Sequence, residues 1–272
     1  MSESALSADY VIIGAGIAGA SAAYWLAPHG RAIVLERETQ PGYHSTGRSA
    51  AQFMESYGSL QVRRLTRASR AFFMQPPAGF APHALIHPRS SLFVATTGQE
   101  DLLREQWELL RQTSPNLQRL DAAHACALFP VLQPDKVCGA LLDPDTGDMD
   151  VDALLQGFLR GVRQAGGQIV TQAEVKQMRR EKDGLWHVQA ADRTFIAPVV
   201  VNAAGAWADE IARLAGAEPL GLEPRRRSAF TFPVSEGMDT AAWPMAIGIA
   251  ENWYIKPDAG QLLGSPANAD PV

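Results

Sequence analysis

The chain has 272 residues, 46% of them hydrophobic, and a formal net charge of −5 at pH 7. This length and apolar content suffice for a buried core and indicate two domains or lobes. The acidic balance, with no basic run longer than three residues, excludes a charge pattern typical of nucleic-acid binding. The two cysteines, Cys126 and Cys138, fit neither a CxxC pair nor a disulfide framework, so we expect reduced thiols in a soluble cytoplasmic protein. Residues 1–8 lack a signal-peptide pattern and no apolar run approaches ~18 residues, so no transmembrane segment is expected. Loose membrane association through a partner stays open.

The first predicted element is an apolar strand that runs into three spaced glycines. Gly14, Gly16 and Gly19 are followed by a helix and by a second strand that ends in Glu36. Gly14 permits a tight turn, Gly16 lets the backbone approach a pyrophosphate, and Gly19 lets the helix lie close on the sheet. The pyrophosphate would bind at the helix N-terminus, and the acid would accept a hydrogen bond from a ribose hydroxyl. The pattern predicts a βαβ unit that binds an adenine dinucleotide, with NAD and FAD both open.

The middle of the chain combines turns, helices and strands. A turn-rich segment at 40–49 precedes a helix predicted from about 50 to 73, which a proline pair at 76–77 ends. Strands are expected within 84–96, and an amphipathic helix over 99–112.

A nucleotide-binding pattern returns after the middle segment. Asp150 can cap an amphipathic helix that stops at 166–167. A strand at 168–171, a hairpin over 186–196 and a buried strand at 199–202 are expected next.

The order of elements predicts an α/β fold, in which a Rossmann-like domain is interrupted by a mixed-sheet α+β substrate lobe. The expected nucleotide-binding domain comprises 1–78 and 147–216, and the expected substrate domain comprises 79–146 and 217–272. The chain stops within loop-like sequence, so we expect it to be truncated at its C-terminus.

Several longer blocks resemble a known family. The segments 14–21, 40–51, 201–207 and 256–260 are similar to those of the D-amino-acid-oxidase-like (DAO) family of FAD-dependent oxidoreductases, and within it to the bacterial D-arginine dehydrogenases. The resemblance extends over nearly the whole chain. It implies non-covalent FAD, a small amino-acid substrate and an electron acceptor that the sequence does not identify; no metal site is expected.

The fingerprint and the resemblance together imply a set of cofactor-binding residues. A loop with glycine, hydroxyl and arginine groups near a pyrophosphate supplies N–H donors and positive charge, although a surface turn with a solvated arginine is the alternative. The implied residues are Gly14, Gly16, Ile17, Ala18, Gly19, Glu36, Arg37, Ser45, Thr46, Gly47, Arg48, Ser49, Ala50, Ala51, Gln52, Val175, Ala204, Gly205 and Trp207.

The substrate residues follow from what the oxidation of an amino acid requires. Its carboxylate must be held and its Cα–H directed at the flavin. Arginine suits the carboxylate because its planar fork donates two hydrogen bonds. The resemblance implies Arg227 for this role, Tyr254 at the same carboxylate and Tyr57 near a lid over the pocket. The alternatives are a solvated basic run and tyrosines in the core or at its rim.

Two positions depart from the D-arginine dehydrogenase pattern. Ser91, Met245 and Ile247 are expected to line the side-chain pocket, but Ser91 replaces an acid that pairs with the substrate guanidinium. Gln52 replaces a histidine beside the flavin and cannot act as a titrating base. Because a buried substrate cation without its partner is strongly destabilised, a neutral or apolar D-amino acid is expected rather than D-arginine.

The predicted reaction is FAD-dependent hydride transfer from a D-amino acid, giving an imino acid that hydrolyses to a 2-oxo acid and ammonia. Two alternatives stay open. One is a non-catalytic FAD-binding subunit or fragment. The other is an oxidase or dehydrogenase acting on another carboxylate, such as an N-methyl amino acid, glycine or a 2-hydroxy acid.

Overall fold

A computed structural model describes residues 5–272, so the first half of the 1–8 segment lies outside the described residues. The chain forms two compact units. The first unit comprises Met1–Ser49, Pro76–Leu85 and Asp150–Pro224, and the second comprises Ala50–Gln75, Ile86–Met149 and Arg225–Val272.

The secondary structure elements are numbered in chain order. The α-helices are α1 (Ile17–Leu26), α2 (Leu60–Met74), α3 (Glu100–Leu110), α4 (Ala122–Leu128), α5 (Val151–Gln164) and α6 (Ala208–Leu214), with short 3-10 turns at Ala27–His29 and Gly205–Trp207. The strands are β1 (Leu6–Ser7), β2 (Tyr10–Ile13), β3 (Ala32–Leu35), β4 (Gln52–Phe53), β5 (Ile86–Pro88), β6 (Ser91–Thr96), β7 (Gln118–Leu120), β8 (Val137–Asp143), β9 (Gly147–Met149), β10 (Gln168–Val170), β11 (Val175–Arg180), β12 (Trp186–Ala190), β13 (Arg193–Ala197), β14 (Val199–Asn202), β15 (Arg225–Arg226), β16 (Phe230–Phe232), β17 (Met245–Gly248), β18 (Tyr254–Asp258), β19 (Gln261–Ser265) and β20 (Asp270–Pro271).

The first unit is built around a parallel sheet of order β10-β3-β2-β14. Val11, Ile12, Ile33 and Val34 are completely buried, as expected of strands covered on both faces. Helix α1 starts shortly after β2 ends, which brings the helix N-terminus to the carboxyl end of the sheet. This arrangement confirms the predicted βαβ unit.

Helices α1 and α5 pack closely together. The side chain of Asp150 accepts a hydrogen bond from the Ala153 N–H at 2.8 Å, so the predicted cap of α5 is confirmed. At Gly161 an added Cβ would lie 2.4 Å from the Tyr24 ring, and the absence of a side chain there allows the close approach. A second sheet of order β1-β13-β12-β11 contributes Val188 to a core shared with β2 and β3.

The second unit contains a seven-stranded sheet of order β16-β19-β18-β17-β6-β8-β7. Strands β17 and β6 pair in parallel and the other neighbours are antiparallel, which confirms the predicted mixed sheet. Leu103 and Leu110 of α3 pack into its core, as the amphipathic pattern predicted. A smaller sheet of order β4-β9-β5 belongs to the same unit.

The helix predicted from 50 to 73 is wrong in its first part. Gln52 and Phe53 pair with β9, and α2 begins only at Leu60. The side chain of Ser59 accepts from the Val62 N–H and thereby caps the helix, after a glycine at 58 with φ of 83°. The strand at 199–202 also differs from expectation, because β14 pairs only with β2 among the described residues and Val199 is 43% exposed.

The division between the units differs from the expected boundaries. Residues 50–75, expected with the nucleotide-binding part, belong to the second unit, since Arg70 of α2 binds Glu55 and the Asp145 carbonyl. Residues 79–85 belong to the first unit, where the Asp150 N–H donates to the Leu85 carbonyl at 2.9 Å. Residues 217–224 also join the first unit. Within residues 5–272, no helix combines the length and apolarity needed to cross a membrane.

Candidate functional site

The first unit contains a cavity of about 270 Å³ beside the carboxyl ends of β2 and β3. Its walls come from the first turn of α1, the turn-rich 42–46 segment, the start of β11 and the 203–214 segment. Together with residues 35–37 at the end of β3, five separate stretches of chain meet at the cavity. The predicted cofactor residues in the lining are Gly14, Gly16, Ile17, Ala18, Glu36, Arg37, Ser45, Thr46, Val175, Ala204, Gly205 and Trp207.

The fingerprint glycines have different steric surroundings. Gly14 has φ of 102°, and an added Cβ would lie 2.5 Å from the Ala203 carbonyl oxygen. A Cβ at Gly19 would lie 1.8 Å from the Gly14 carbonyl oxygen, so the close contact between helix and strand requires glycine there. At Gly16 the nearest neighbour of an added Cβ is the Thr46 hydroxyl at 3.2 Å, and this residue borders the cavity.

Glu36 is fixed by two backbone N–H groups. One carboxylate oxygen accepts from Ala15 and the other from Glu38, both at 2.9 Å, and the residue is only 8% exposed. Each oxygen keeps a second lone pair that could accept a ribose hydroxyl. The acid is therefore oriented before any ligand binds.

The start of α1 is suited to an anion. The Ile17 N–H donates to the Thr46 hydroxyl at 3.0 Å, and the Gly42 N–H donates to the Ala15 carbonyl at 3.2 Å, so the turn-rich loop folds back on the helix start. The dipole and unpaired N–H groups of a first helical turn favour a phosphate group. The small residues, helix start and oriented acid together fit an adenine dinucleotide.

A cluster of aromatic and charged side chains flanks the cavity. The Arg37 guanidinium lies 3.7 Å from the centre of the Trp207 ring, and the His44 ring lies 4.7 Å from it. His44 also hydrogen-bonds Glu38 at 2.8 Å. That contact, followed by the hydrogen bond from Arg37, holds the pKa of the Glu38 carboxyl below its usual value.

Sequence reasoning missed several lining residues. His44 carried no signal beyond its place in the turn-rich loop. Glu210, Ile211 and Leu214 of α6 also line the cavity. Their helical spacing directly after Trp207 is the signal that could have identified them.

The remaining residues that the resemblance places at the cofactor, Gly47 to Gln52, are divided between the two units. Gly47 closes a turn by donating to the Gly42 carbonyl at 2.7 Å, and the Arg48 guanidinium lies 4.9 Å from the Tyr43 ring centre. Ser49 ends the segment of the first unit. Residues 50–52 belong to the second unit.

Four of the predicted substrate residues lie on one face of the seven-stranded sheet. Ser91 is opposite Met245 in the parallel β6–β17 pair, and Ile247 is opposite Tyr254 in the antiparallel β17–β18 pair. Alternation along β17 puts both pairs on the same face. Ser91, Met245 and Ile247 are buried, at 0%, 5% and 7% exposure, and Tyr254 is partly buried against the same core.

The two departures from the D-arginine dehydrogenase pattern contact each other. The Gln52 amide N–H₂ donates to the Arg89 carbonyl at 3.3 Å and to the Ser91 hydroxyl at 3.4 Å. The Ser91 hydroxyl also hydrogen-bonds Thr146 at 2.9 Å. Because the Arg89 carbonyl can only accept, the Gln52 amide oxygen points away from it, and this buried oxygen has no hydrogen-bond partner among the described residues.

The two remaining predicted residues are more exposed. Tyr57 is 46% exposed and lines, together with Gln52, a largely apolar cavity of about 380 Å³ within the second unit. Arg227 is exposed just before β16, and its Nε donates to the Asn268 carbonyl at 3.5 Å. The backbone carbonyl of the following residue, Ser228, accepts from the Ser265 hydroxyl. Ser265 lies opposite Tyr254 in the β18–β19 pair.

A glycine-bordered cavity at a helix start, with an acid after the next strand, defines a dinucleotide-binding protein. The family model described as FAD dependent oxidoreductase (DAO) matches residues 9–271, and the chain belongs to this family. FAD is therefore the cofactor, which settles the open choice between NAD and FAD.

The relatives share the fold and a modest sequence identity. Human mitochondrial dimethylglycine dehydrogenase is 24% identical over 95% of this chain, which spans about 30% of that protein's length. L-α-glycerophosphate oxidase from Mycoplasma pneumoniae, solved with FAD bound, superposes with a TM-score of 0.82 and 19% identity over 95% of this chain and 71% of its own. Glycine oxidase from Geobacillus kaustophilus superposes with a TM-score of 0.80 and 21% identity, over 98% of this chain and 72% of its own. These relatives do not support the narrower resemblance to the D-arginine dehydrogenases, which stays a prediction.

Proposed function

We propose that this protein oxidises a small amino acid with a neutral or apolar side chain, with a D-amino acid as the first candidate. The first unit would hold non-covalent FAD, and the second would supply the substrate pocket. When bound, FAD would supply the two-electron acceptor for a hydride from the substrate Cα. The amine proton would leave to solvent, and water would convert the imino acid to a 2-oxo acid and ammonia.

The observation that carries the substrate class is the apolar face formed by Ser91, Met245 and Ile247. The Ser91 hydroxyl is completely buried and is occupied by hydrogen bonds to neutral groups. None of these three side chains carries a carboxylate. The buried Asp143 carboxylate, opposite Ser91 on β8, already accepts from the Ser114 hydroxyl and the Asp145 N–H. A substrate guanidinium or ammonium group would therefore lack a free carboxylate partner here, and burying it unpaired would be strongly unfavourable. This face favours a neutral side chain.

Gln52 gives the pocket one polar acceptor. Its unpartnered buried oxygen would gain stability from an N–H or O–H donor, and a substrate amine supplies one. Gln52 would thus orient the amine, while the proton leaves to solvent because an amide does not titrate.

Charged and phenolic groups would hold the substrate carboxylate. Arg227 would donate two hydrogen bonds from its guanidinium, and the Tyr254 hydroxyl would donate another. The exposed ring of Tyr57 borders the cavity that contains Gln52 and would cover the bound substrate.

A second candidate is an N-methylated glycine or glycine itself. It is favoured by the names of two relatives, dimethylglycine dehydrogenase and glycine oxidase. A substrate without a Cα side chain is also compatible with the buried Met245 and Ile247.

Anaerobic mixing of the natural full-length flavoprotein with a substrate panel tests the proposal. D-methionine and D-alanine should bleach the flavin band at about 450 nm faster than D-arginine does. Faster bleaching by sarcosine or dimethylglycine would select the second candidate. Faster reduction by D-arginine, or no reduction by any amino acid, would contradict the proposal.

A further inference from the structure

A buried lysine in the second unit contacts the segment that the resemblance places at the flavin. Lys256, in the middle of β18, is 2% exposed. Its ammonium donates to the Ala50 carbonyl at 3.0 Å and to one carboxylate oxygen of Asp148 at 2.7 Å. None of the roles proposed above involves this cation.

The lysine is one member of a three-residue ion cluster. The other carboxylate oxygen of Asp148 accepts from Arg89 Nε, and Arg89 also donates to the Trp243 carbonyl at 2.6 Å. Two cations therefore share one carboxylate. Lys256 is buried, whereas the Arg89 and Asp148 side chains are 16% and 25% exposed. Ion pairs that are buried or partly buried contribute little net stability compared with apolar residues, so stability alone gives a weak reason for the cluster.

The cluster converges on a short segment with a strained backbone. Ala51 has φ of 54°, a left-handed conformation that is unfavourable for a residue other than glycine. Its carbonyl accepts from the Met149 N–H at 2.7 Å, while the preceding carbonyl, that of Ala50, accepts from Lys256. The next residue, Gln52, is paired across the strands with Asp148.

Lys256 also shares a sheet face with the proposed substrate residues. It lies two residues after Tyr254 on β18, so the two side chains project from the same face. The cation therefore connects that face with the 50–52 segment.

We propose that Lys256 is a positioning residue, which holds residues 50–52 in the conformation that receives the flavin and leaves a net positive charge beside it. This inference rests on the proposed function and on the contact between residues 50–52 and the flavin that the family resemblance implies. Strained backbone persists where the surrounding contacts over-determine it, and such strain is common at ligand-binding sites. A pre-ordered segment binds its ligand more tightly because less ordering remains to be done.

The test compares Lys256→Met, Lys256→Arg and the control Lys136→Met in the natural full-length protein. Lys136 is an exposed lysine of the same unit. We expect Lys256→Met to raise the Kd for FAD about tenfold, to shift the visible flavin band and to lower the flavin midpoint potential. Lys256→Arg should restore most of the affinity because a guanidinium can donate to both acceptors, and the control should match the wild type.

Ala51→Gly provides a second variant should Lys256→Met fail to fold. Glycine adopts positive φ without steric strain, so the apoprotein should keep or gain thermal stability. If the segment is held for the flavin, the same variant should bind FAD about threefold more weakly.

Wild-type affinity, flavin spectrum and potential in Lys256→Met would overturn the inference, and so would unchanged FAD binding in Ala51→Gly. Failure of the wild-type protein itself to bind FAD would contradict the proposed function instead, which keeps the two outcomes distinct.

Discussion

The two units differ in how their candidate site residues are brought together. In the first, Gly14, Gly19 and Glu36 come from one βαβ unit, and their positions follow from local geometry. In the second, Ser91 and Tyr254 come from distant strands and meet on one face only through the register of a mixed sheet. The cofactor class can therefore be inferred from spacing, whereas the substrate class depends on long-range pairing.

The two units also differ in whether the polar side chains at their candidate sites already have hydrogen-bond partners. The acid of the first unit is already fixed by two backbone N–H groups. In the second unit, Gln52 presents a buried oxygen that has no partner among residues 5–272. We infer that the polar groups of the first unit are in place before its ligand binds. In the second unit, a bound ligand would supply the missing hydrogen-bond partner of Gln52.

Gly19→Ala should have the largest effect. The new methyl would overlap the Gly14 carbonyl, so α1 must move away from the sheet, and we expect a loss of ~3 kcal/mol or more of unfolding free energy together with FAD binding. Thermal unfolding measures the first effect and flavin content the second.

Gly16→Ala is the matched variant for Gly19→Ala. Its methyl has only the Thr46 hydroxyl nearby, so the fold should survive while FAD binding weakens. Equal stability losses in the two variants would contradict the different surroundings assigned to these glycines.

Glu36→Gln should raise the Kd for FAD by on the order of 100-fold. The amide turns an N–H₂ group towards one of the two backbone N–H donors and weakens the acceptor for the ribose. Fluorescence titration of FAD into the apoprotein measures this. Glu181→Gln, on an exposed hairpin ion pair, should leave the Kd unchanged.

Arg227→Met should raise KM by on the order of tenfold and affect FAD binding little, because the substrate carboxylate loses a charged hydrogen-bond donor. Steady-state kinetics with D-methionine measures the change. The neighbouring Arg226→Met is the control. If both variants behave alike, the run at 225–227 acts as a general basic surface rather than through one arginine.

The smallest expected effect is the contribution of the Asp209 carboxyl to folding stability, which depends on pH. Its burial raises the pKa of the carboxyl, but three backbone N–H groups, those of Leu220, Gly221 and Leu222 at 2.8–3.0 Å, outweigh this and lower the pKa below the usual value of 3.8. A depressed pKa stabilises the fold at pH values above 3.8, and the stabilisation is lost as the pH falls through the lowered value.

Thermal unfolding between pH 6 and about pH 3 tests this contribution. The Tm of the wild type should fall more steeply below about pH 4 than that of Asp209→Asn. Parallel curves would exclude the contribution.

Much of the first unit could be predicted from the sequence because the residues that determine its elements lie close together along the chain. The strand, glycines, helix and acid follow one another along the chain, and the Asp150 cap lies directly before its helix. The helix predicted from 50 was wrong because pairing of Gln52 with Asp148, far along the chain, determines that segment. The contact between Gln52 and Ser91 likewise depends on tertiary pairing that no spacing rule contains.

The most direct test of the cofactor assignment is the flavin content of the purified full-length protein after acid precipitation. The account predicts a yellow protein that releases one FAD per chain into the supernatant, since the cavity of the first unit is proposed to hold it without a covalent bond. A colourless protein with bound NADH would contradict the assignment, and colour retained in the precipitate would contradict non-covalent binding.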